Sequence, residues 1–253
     1  MIYLRAEYYK IKKSWQSLLG YILVIALVVS VVIGFKIRAN FTVSSLDIVL
    51  ISLSNILNSF ILHFIMALVT SLLFAGEFVN KTYKYIMIRP ISLFQLIISK
   101  FLAIWYYCSK LLIFIALISL GLGIIIWGGG KVHGQNNIVL NNGLLRIILF
   151  YISTWINLIF VIVLGIFFSI IFKNQVSTVI ATMGFFLILV PTVNIFPEML
   201  EYTPLIFFDL HSFLSGINIQ WAKLTTAIII NIFYSMGIIV VSYLYLSSKD
   251  ILD

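Results

Sequence analysis

The sequence predicts an all-α integral membrane protein with six transmembrane helices, and three observations carry that expectation. Of the 253 residues, 62% are hydrophobic and only 9% charged, with a mean hydropathy of +1.16, which leaves a soluble domain of this length without a solvated surface. The charge-free windows 14–35, 48–76, 111–130, 147–172, 174–197 and 224–248 each reach the roughly 20 residues that carry a helix across a hydrocarbon core about 30 Å thick. None shows the alternation of a membrane barrel, so the backbone groups in lipid must be paired within each segment, as a helix pairs them.

Taken in order, residues 1–17 place Leu4, Tyr8, Ile11, Trp15 and Leu18 on one helical stripe, with Glu7, Lys10, Lys13 and Ser17 elsewhere. That pattern predicts an amphipathic helix in the membrane interface, with Trp15 at the boundary and Lys12 and Lys13 toward anionic headgroups. A polar extension of the first span is the plainer alternative. The first span, 18–35, is expected to be retained, since no small-x-small cleavage site follows it. The second span is 48–76. Residues 77–96, EFVNKTYKYIMIRPISLFQL, form the one long loop on the N-terminal side, helical in its first half and broken at Pro90 after Arg89. The third span, 103–127, opens on Trp105, Tyr106 and Tyr107, an interfacial aromatic cluster, and Lys110 beside it is expected to snorkel to headgroups. Spans at 147–172 and 176–196 follow. The outer segment 197–221 holds Pro197 and Pro204 among apolar residues, which predicts a short, partly re-entrant helical element rather than an exposed loop. The last span is 224–246.

Orientation follows from the loops. With the N-terminus inside, ten of the sixteen Lys and Arg lie on the inner side and five outside, Lys110 being within a span. Both termini are therefore expected in the cytoplasm.

The missing chemistry narrows the function. There is no H-E-x-x-H, no G-x-S-x-G and no Asp pair inside a span, so proteolysis and hydrolysis have no candidate residues. Gly128-Gly129-Gly130-Lys131 fails as a phosphate loop, because Val132 stands where Ser or Thr is needed and the upstream Gly is lacking. The lone Cys108 excludes an internal disulfide and any multi-cysteine metal site. No enzyme activity and no cofactor are expected of this chain. The net charge of +8 sits in short loops between apolar runs, which points to lipid headgroups as partners and away from nucleic acid.

No Asp or Glu falls inside the six windows, which argues against a self-sufficient ion-coupled transporter. His63, near the middle of the second window, has two readings: a substrate or gating contact, or a hydrogen bond to a Ser, Thr or Asn of another helix. Asn157, Asn194 and Asn231 either line a pathway or join helices. Gly121, Gly123, Gly165 and Gly184 are positions where helices can approach closely.

At Glu77–Lys100 the chain resembles a known family. An acidic residue ends the second span, an N-K-T-Y-K-Y helix follows, and then come Arg89-Pro90-Ile91-Ser92 and a Lys-Phe-Leu lead into the third span. This is similar to the "E…GT…L…RPIS…K" region of ABC-2 type permeases, although Lys81 stands before Thr82 where the family often has Gly. The length and loop layout resemble the branch handling antimicrobial peptides: lantibiotic immunity, bacitracin resistance and export of peptide toxins.

The resemblance implies a permease subunit of an ATP-driven exporter in a bacterial cell membrane. It further implies a separate ABC ATPase, with its nucleotide-binding domain dimer binding ATP and Mg. A second permease copy or a sister permease completes the pathway. The loop would be the coupling helix, with Glu77, Lys81, Thr82, Tyr83, Tyr85, Arg89 and Pro90 as its candidate residues. Ordinary positive-inside charge is the competing account of Lys81, Lys84 and Arg89. Two other functions remain compatible with the residues: a non-transporting scaffold, assembly factor or sensor, and a proton-coupled secondary transporter using His63.

Overall fold

The computed structural model describes residues 2–37, 43–80, 93–132, 142–196, 198, 202–204, 206, 210–215 and 218–248. Its elements are α1 (Ile2–Lys13), α2 (Trp15–Ile37), α3 (Ser45–Asn58), α4 (Ile61–Leu73), α5 (Ala75–Val79), α6 (Leu93–Trp127), α7 (Gly143–Phe172), α8 (Gln175–Ile195), α9 (Leu210–Ser215) and α10 (Trp221–Ser248). No strand occurs among the described residues.

Five stretches are long and apolar enough to cross a membrane: Trp15–Ile37, Ile61–Val79, Leu93–Trp127, Gly143–Phe172 and Trp221–Ser248. The apolar parts Ser45–Asn58 and Gln175–Pro191 are shorter. α8 nevertheless continues through Pro191 to Ile195.

The apolar run expected as one span over 48–76 is three helices. α3 ends at Asn58, and Phe60 adopts the left-handed conformation, φ 58°, before α4 begins. Local polar groups favour the stop. Asn55 Nδ2 donates to the Ile51 carbonyl at 2.9 Å and Ser59 Oγ to that of Ile56 at 3.1 Å, so side chains compete for helix carbonyls here. The two halves also have different neighbours: α3 lies chiefly on α6, whereas α4 lies on α7 and α8. Ser44 and Asp47 form a capping box that starts α3. A second irregularity at Phe74 separates α4 from α5.

α6 is longer than the 103–127 expected, because nothing between 93 and 120 is Pro or Gly and the helix runs back through Lys100. Its 35 residues span roughly 52 Å, more than the hydrocarbon core alone.

The core centres on α4–α5 and α7, where 72% and 61% of an apolar 18-residue stretch is buried, against 22–28% of the corresponding stretch in α2, α6 and α10. α10 lies mainly on α7, while α1, α2 and α3 gather around α6. Close approach depends on small residues at particular points. A Cβ on Gly20 would lie 2.6 Å from Tyr107 Oη and 2.9 Å from Ile65 Cγ2, and one on Gly165 would lie 3.0 Å from Thr70 Cγ2. Gly123 makes a similar contact with Ser45, whereas Gly121 and Gly184 face open space.

The stripe expected to lie in lipid splits at Ser14, between α1 and α2. Ser14 Oγ donates to the Ile11 carbonyl at 2.7 Å and accepts from Ser17 N at 3.2 Å, ending one helix and capping the next. Ile11 is fully buried and Tyr8 partly buried, with α1 lying chiefly on α6, while Trp15 and Leu18 remain exposed. The amphipathic stripe is thus mostly a protein contact over α1 and an exposed one after it.

Candidate coupling site

At the α1 end of the bundle four charged side chains meet. α5 is a five-residue helix, and its Glu77, only 6% exposed, lies between two lysines. Glu77 Oε1 accepts from Lys10 Nζ of α1 at 2.7 Å. Glu77 Oε2 accepts from Lys100 Nζ of α6, which is 1% exposed. Lys10 also donates to Glu7 Oε1 and Oε2 at 3.0 and 3.2 Å, one helical turn away on α1.

The break at Phe74 helps build this site. The amide of Glu77 donates to the Phe74 carbonyl at 3.2 Å instead of reaching back to Leu73. The Leu73 carbonyl is taken by Lys100 Nζ, which also stands 5.0 Å from the centre of the Phe74 ring. A buried ammonium is tolerable only with such a full set of partners. The four side chains sum to zero charge. Burial alone would lower the Lys10 pKa, but the hydrogen bond to Glu77 and the charges of Glu7 and Glu77 outweigh it and hold the value above the ordinary 10.5.

The turn joining α7 to α8 braces α5 from another side. Lys173 takes φ 52°, and Asn174 Oδ1 caps α8 by accepting from Val176 N at 2.9 Å. Lys173 Nζ lies 5.8 Å from the Phe78 ring centre. A Cβ on Gly76 would meet Gln175 Nε2 at 2.6 Å, so the Gln175 side chain seats directly on α5.

The clamp therefore fastens both stems of the segment 81–92: Glu77 lies four residues before it and Lys100 eight residues after it. Of the expected coupling residues, Glu77 is at the centre of this clamp. Lys81, Thr82, Tyr83, Tyr85, Arg89 and Pro90 lie outside the described residues.

The other candidates separate. His63 is fully buried on α4, flanked by the rings of Phe60 at 5.5 Å and Phe186 at 5.0 Å. Asn231 Nδ2 donates to Asn157 Oδ1 at 3.3 Å, and Ser235 Oγ donates to Asn231 Oδ1 at 3.5 Å, a neutral joint between α10 and α7. Asn194 falls in the last turn of α8. Lys12, Lys13 and Trp15 are exposed. Trp105 stacks on Trp155 of α7, centroids 4.2 Å apart and planes at 13°, so it faces a helix rather than lipid. Lys110 Nζ donates to Tyr8 Oη at 2.8 Å.

Sequence reasoning passed over Glu7, Lys10 and Lys100 as members of the site. A signal was present, since Glu7 and Lys10 are spaced i, i+3 on one helix. Among the described residues, no group of His, Cys, Asp or Glu could hold a metal ion.

A family model described as ABC-2 family transporter protein matches residues 3–190, more than half of the chain and a range that takes in all four clamp residues. No curated protein matches the sequence.

Proposed function

We propose that this chain, which belongs to the ABC-2 family of transporter proteins, is the permease subunit of an ATP-driven exporter. Membership makes it a membrane component of an ABC transporter, with the ATPase in a partner subunit. The clamp around Glu77 is the observation that carries the coupling role.

A coupling element must do two things: offer a surface to the ATPase and pass its displacement into the membrane helices. The segment 81–92 would supply the surface, with Tyr83, Tyr85 and Arg89 as anchors, since buried aromatic and Arg side chains usually dominate such contacts. Glu77 and Lys100 supply the transmission. A push on the loop moves both stems together, and through Glu77 it also reaches Lys10 of α1. Helices α1, α4–α5 and α6 then respond as one body, the kind of rigid-body change by which transporters switch access. On this reading ATP and Mg act in the partner, and the loop and both termini face the cytoplasm, the side that carries most of the Lys and Arg. A second permease copy or a sister permease forms the other half of the pathway.

The substrate class follows from resemblance to the peptide-handling branch: amphipathic or antimicrobial peptides taken laterally from the bilayer. The mostly apolar spans, free of Asp and Glu over 48–76 and over the four later windows, suit such a ligand.

The test is purification of the tagged chain from its native membranes, identification of any co-purifying ATPase by mass spectrometry, and ATPase assay. The double variant Tyr83→Glu, Arg89→Glu is expected to insert normally and lose the ATPase. Unchanged association would move the contact off this loop, and a wild-type chain that captures no ATPase would sink the exporter reading itself.

A further inference from the structure

We infer that Lys110, at the crossing of α1 and α6, binds the phosphate of an anionic lipid in the leaflet at the α1 end, with Arg5 and Lys12 at its rim. The inference does not depend on ATPase coupling.

Depth is the first argument. Counting back from Trp127, about 20 residues of α6 cross a hydrocarbon core of about 30 Å, which puts the boundary near Tyr107. Lys110 lies within one helical turn of that boundary, on its membrane side, whereas Lys100 is ten residues, roughly 15 Å, further toward the loop. Lipid phosphates stand just outside the boundary, within reach of a lysine side chain that extends toward them.

Charge is the second. The acidic side chains described at this end are Glu7 and Glu77, and both are bound to Lys10, with Glu77 also bound to Lys100. Asp47 is at the far end of the bundle, where neighbouring Ser44 and Ser45 touch Gly130 and Gly123 at the end of α6. Among the described residues no carboxylate lies within ion-pair distance of Lys110. Its partners are neutral: Tyr8 Oη at 2.8 Å, and the rings of Tyr8 and Tyr106 with centroids 4.6 and 4.7 Å from Nζ. Two π-faces and one hydroxyl steer an ammonium and solvate one side of it, but they do not cancel its charge.

Access is the third. Tyr106 is 48% exposed, so the cage opens outward to lipid rather than into the core. Arg5 and Lys12 are exposed one turn either side of Tyr8 on α1, which concentrates positive charge around the same tyrosine. The rings lie edge to face, centroids 4.9 Å apart, so the tyrosines are held as a pair. A lipid seated here would hold α1 on α6, and α1 is also the helix that carries Glu7 and Lys10.

The full chain is reconstituted in nanodiscs of phosphatidylcholine mixed with phosphatidylglycerol, and retained phosphatidylglycerol is measured by native mass spectrometry after detergent exchange. Lys110→Gln is expected to weaken retention about fivefold, Lys110→Arg to preserve it, and Lys36→Gln at the opposite end to leave it unchanged. Retention equal to wild type in Lys110→Gln overturns the inference, as does an equal loss in Lys36→Gln, which would mean general surface charge. Displacement by free glycerol 3-phosphate would assign the site to a soluble phosphate and overturn the lipid. Should Lys110→Gln not fold, the surface double variant Arg5→Gln, Lys12→Gln decides: weaker retention supports the site, and unchanged retention rejects it.

Discussion

The clamp around Glu77 and the joint between Asn157 and Asn231 both bury polar groups between helices, yet one is ionic and the other neutral. The clamp gathers α1, α5 and α6 where one lysine remains 46% exposed, so water still helps to solvate it. The asparagine joint lies mid-helix between α7 and α10, where Asn231 is fully buried. Ion pairs are strong and costly to break one side at a time, whereas amide pairs within a membrane bundle contribute little each. The difference teaches where this molecule resists motion. Helices beside the loop are joined by ion pairs, whereas α10 rests on α7 through apolar contacts and a neutral amide joint.

The largest effect expected to test that contrast is at Glu77. Glu77→Gln leaves Lys100 almost fully buried without its counter-charge, and should cost about 3 kcal/mol of stability, read as a lower midpoint in thermal unfolding of the purified chain. Replacing both partners, Glu77→Leu with Lys100→Met, should recover most of that stability without restoring ATPase coupling. Recovery of both would make the clamp structural only. A smaller effect is expected at the seam of α2 with α4 and α6. Gly20→Val adds a Cβ that meets Tyr107 and Ile65, and should cost about 1–3 kcal/mol in the same assay, since overpacked helices must shift apart. The smallest is at the neutral joint. Asn231→Leu should cost about 1 kcal/mol or less in that assay, and a loss matching that of Glu77→Gln would erase the distinction drawn between the two regions.

Much of this was legible beforehand. Glu77 was expected at the boundary of the second span and pairs with basic residues there. The asparagines at 157 and 231 were candidates for joining helices, and they do so. The helix break at Ser59–Phe60 was not foreseen, because the run from Ile48 to Gly76 carries no charge to interrupt a span and Phe is an unusual residue for a left-handed turn. Trp105 looked interfacial by its neighbours in sequence, but a stacking partner 50 residues away claimed it. Lys100 read as one more positive-inside charge, since nothing local says that a lysine will be buried.

The sequence by itself determined the solvent, the helical architecture and the placement of charge, because lipid punishes every unpaired backbone group and most exposed charges irrespective of fold. Only the tertiary structure decided which partner each polar group meets. It put Lys10 and Lys100 on the same carboxylate from positions 90 residues apart in the chain, and it turned the apolar stripe of α1 toward α6 instead of lipid. Hydrophobicity ranks residues for leaving water but does not say against what they will rest. That choice belongs to shape and to pairing between distant segments, which no local window of sequence contains.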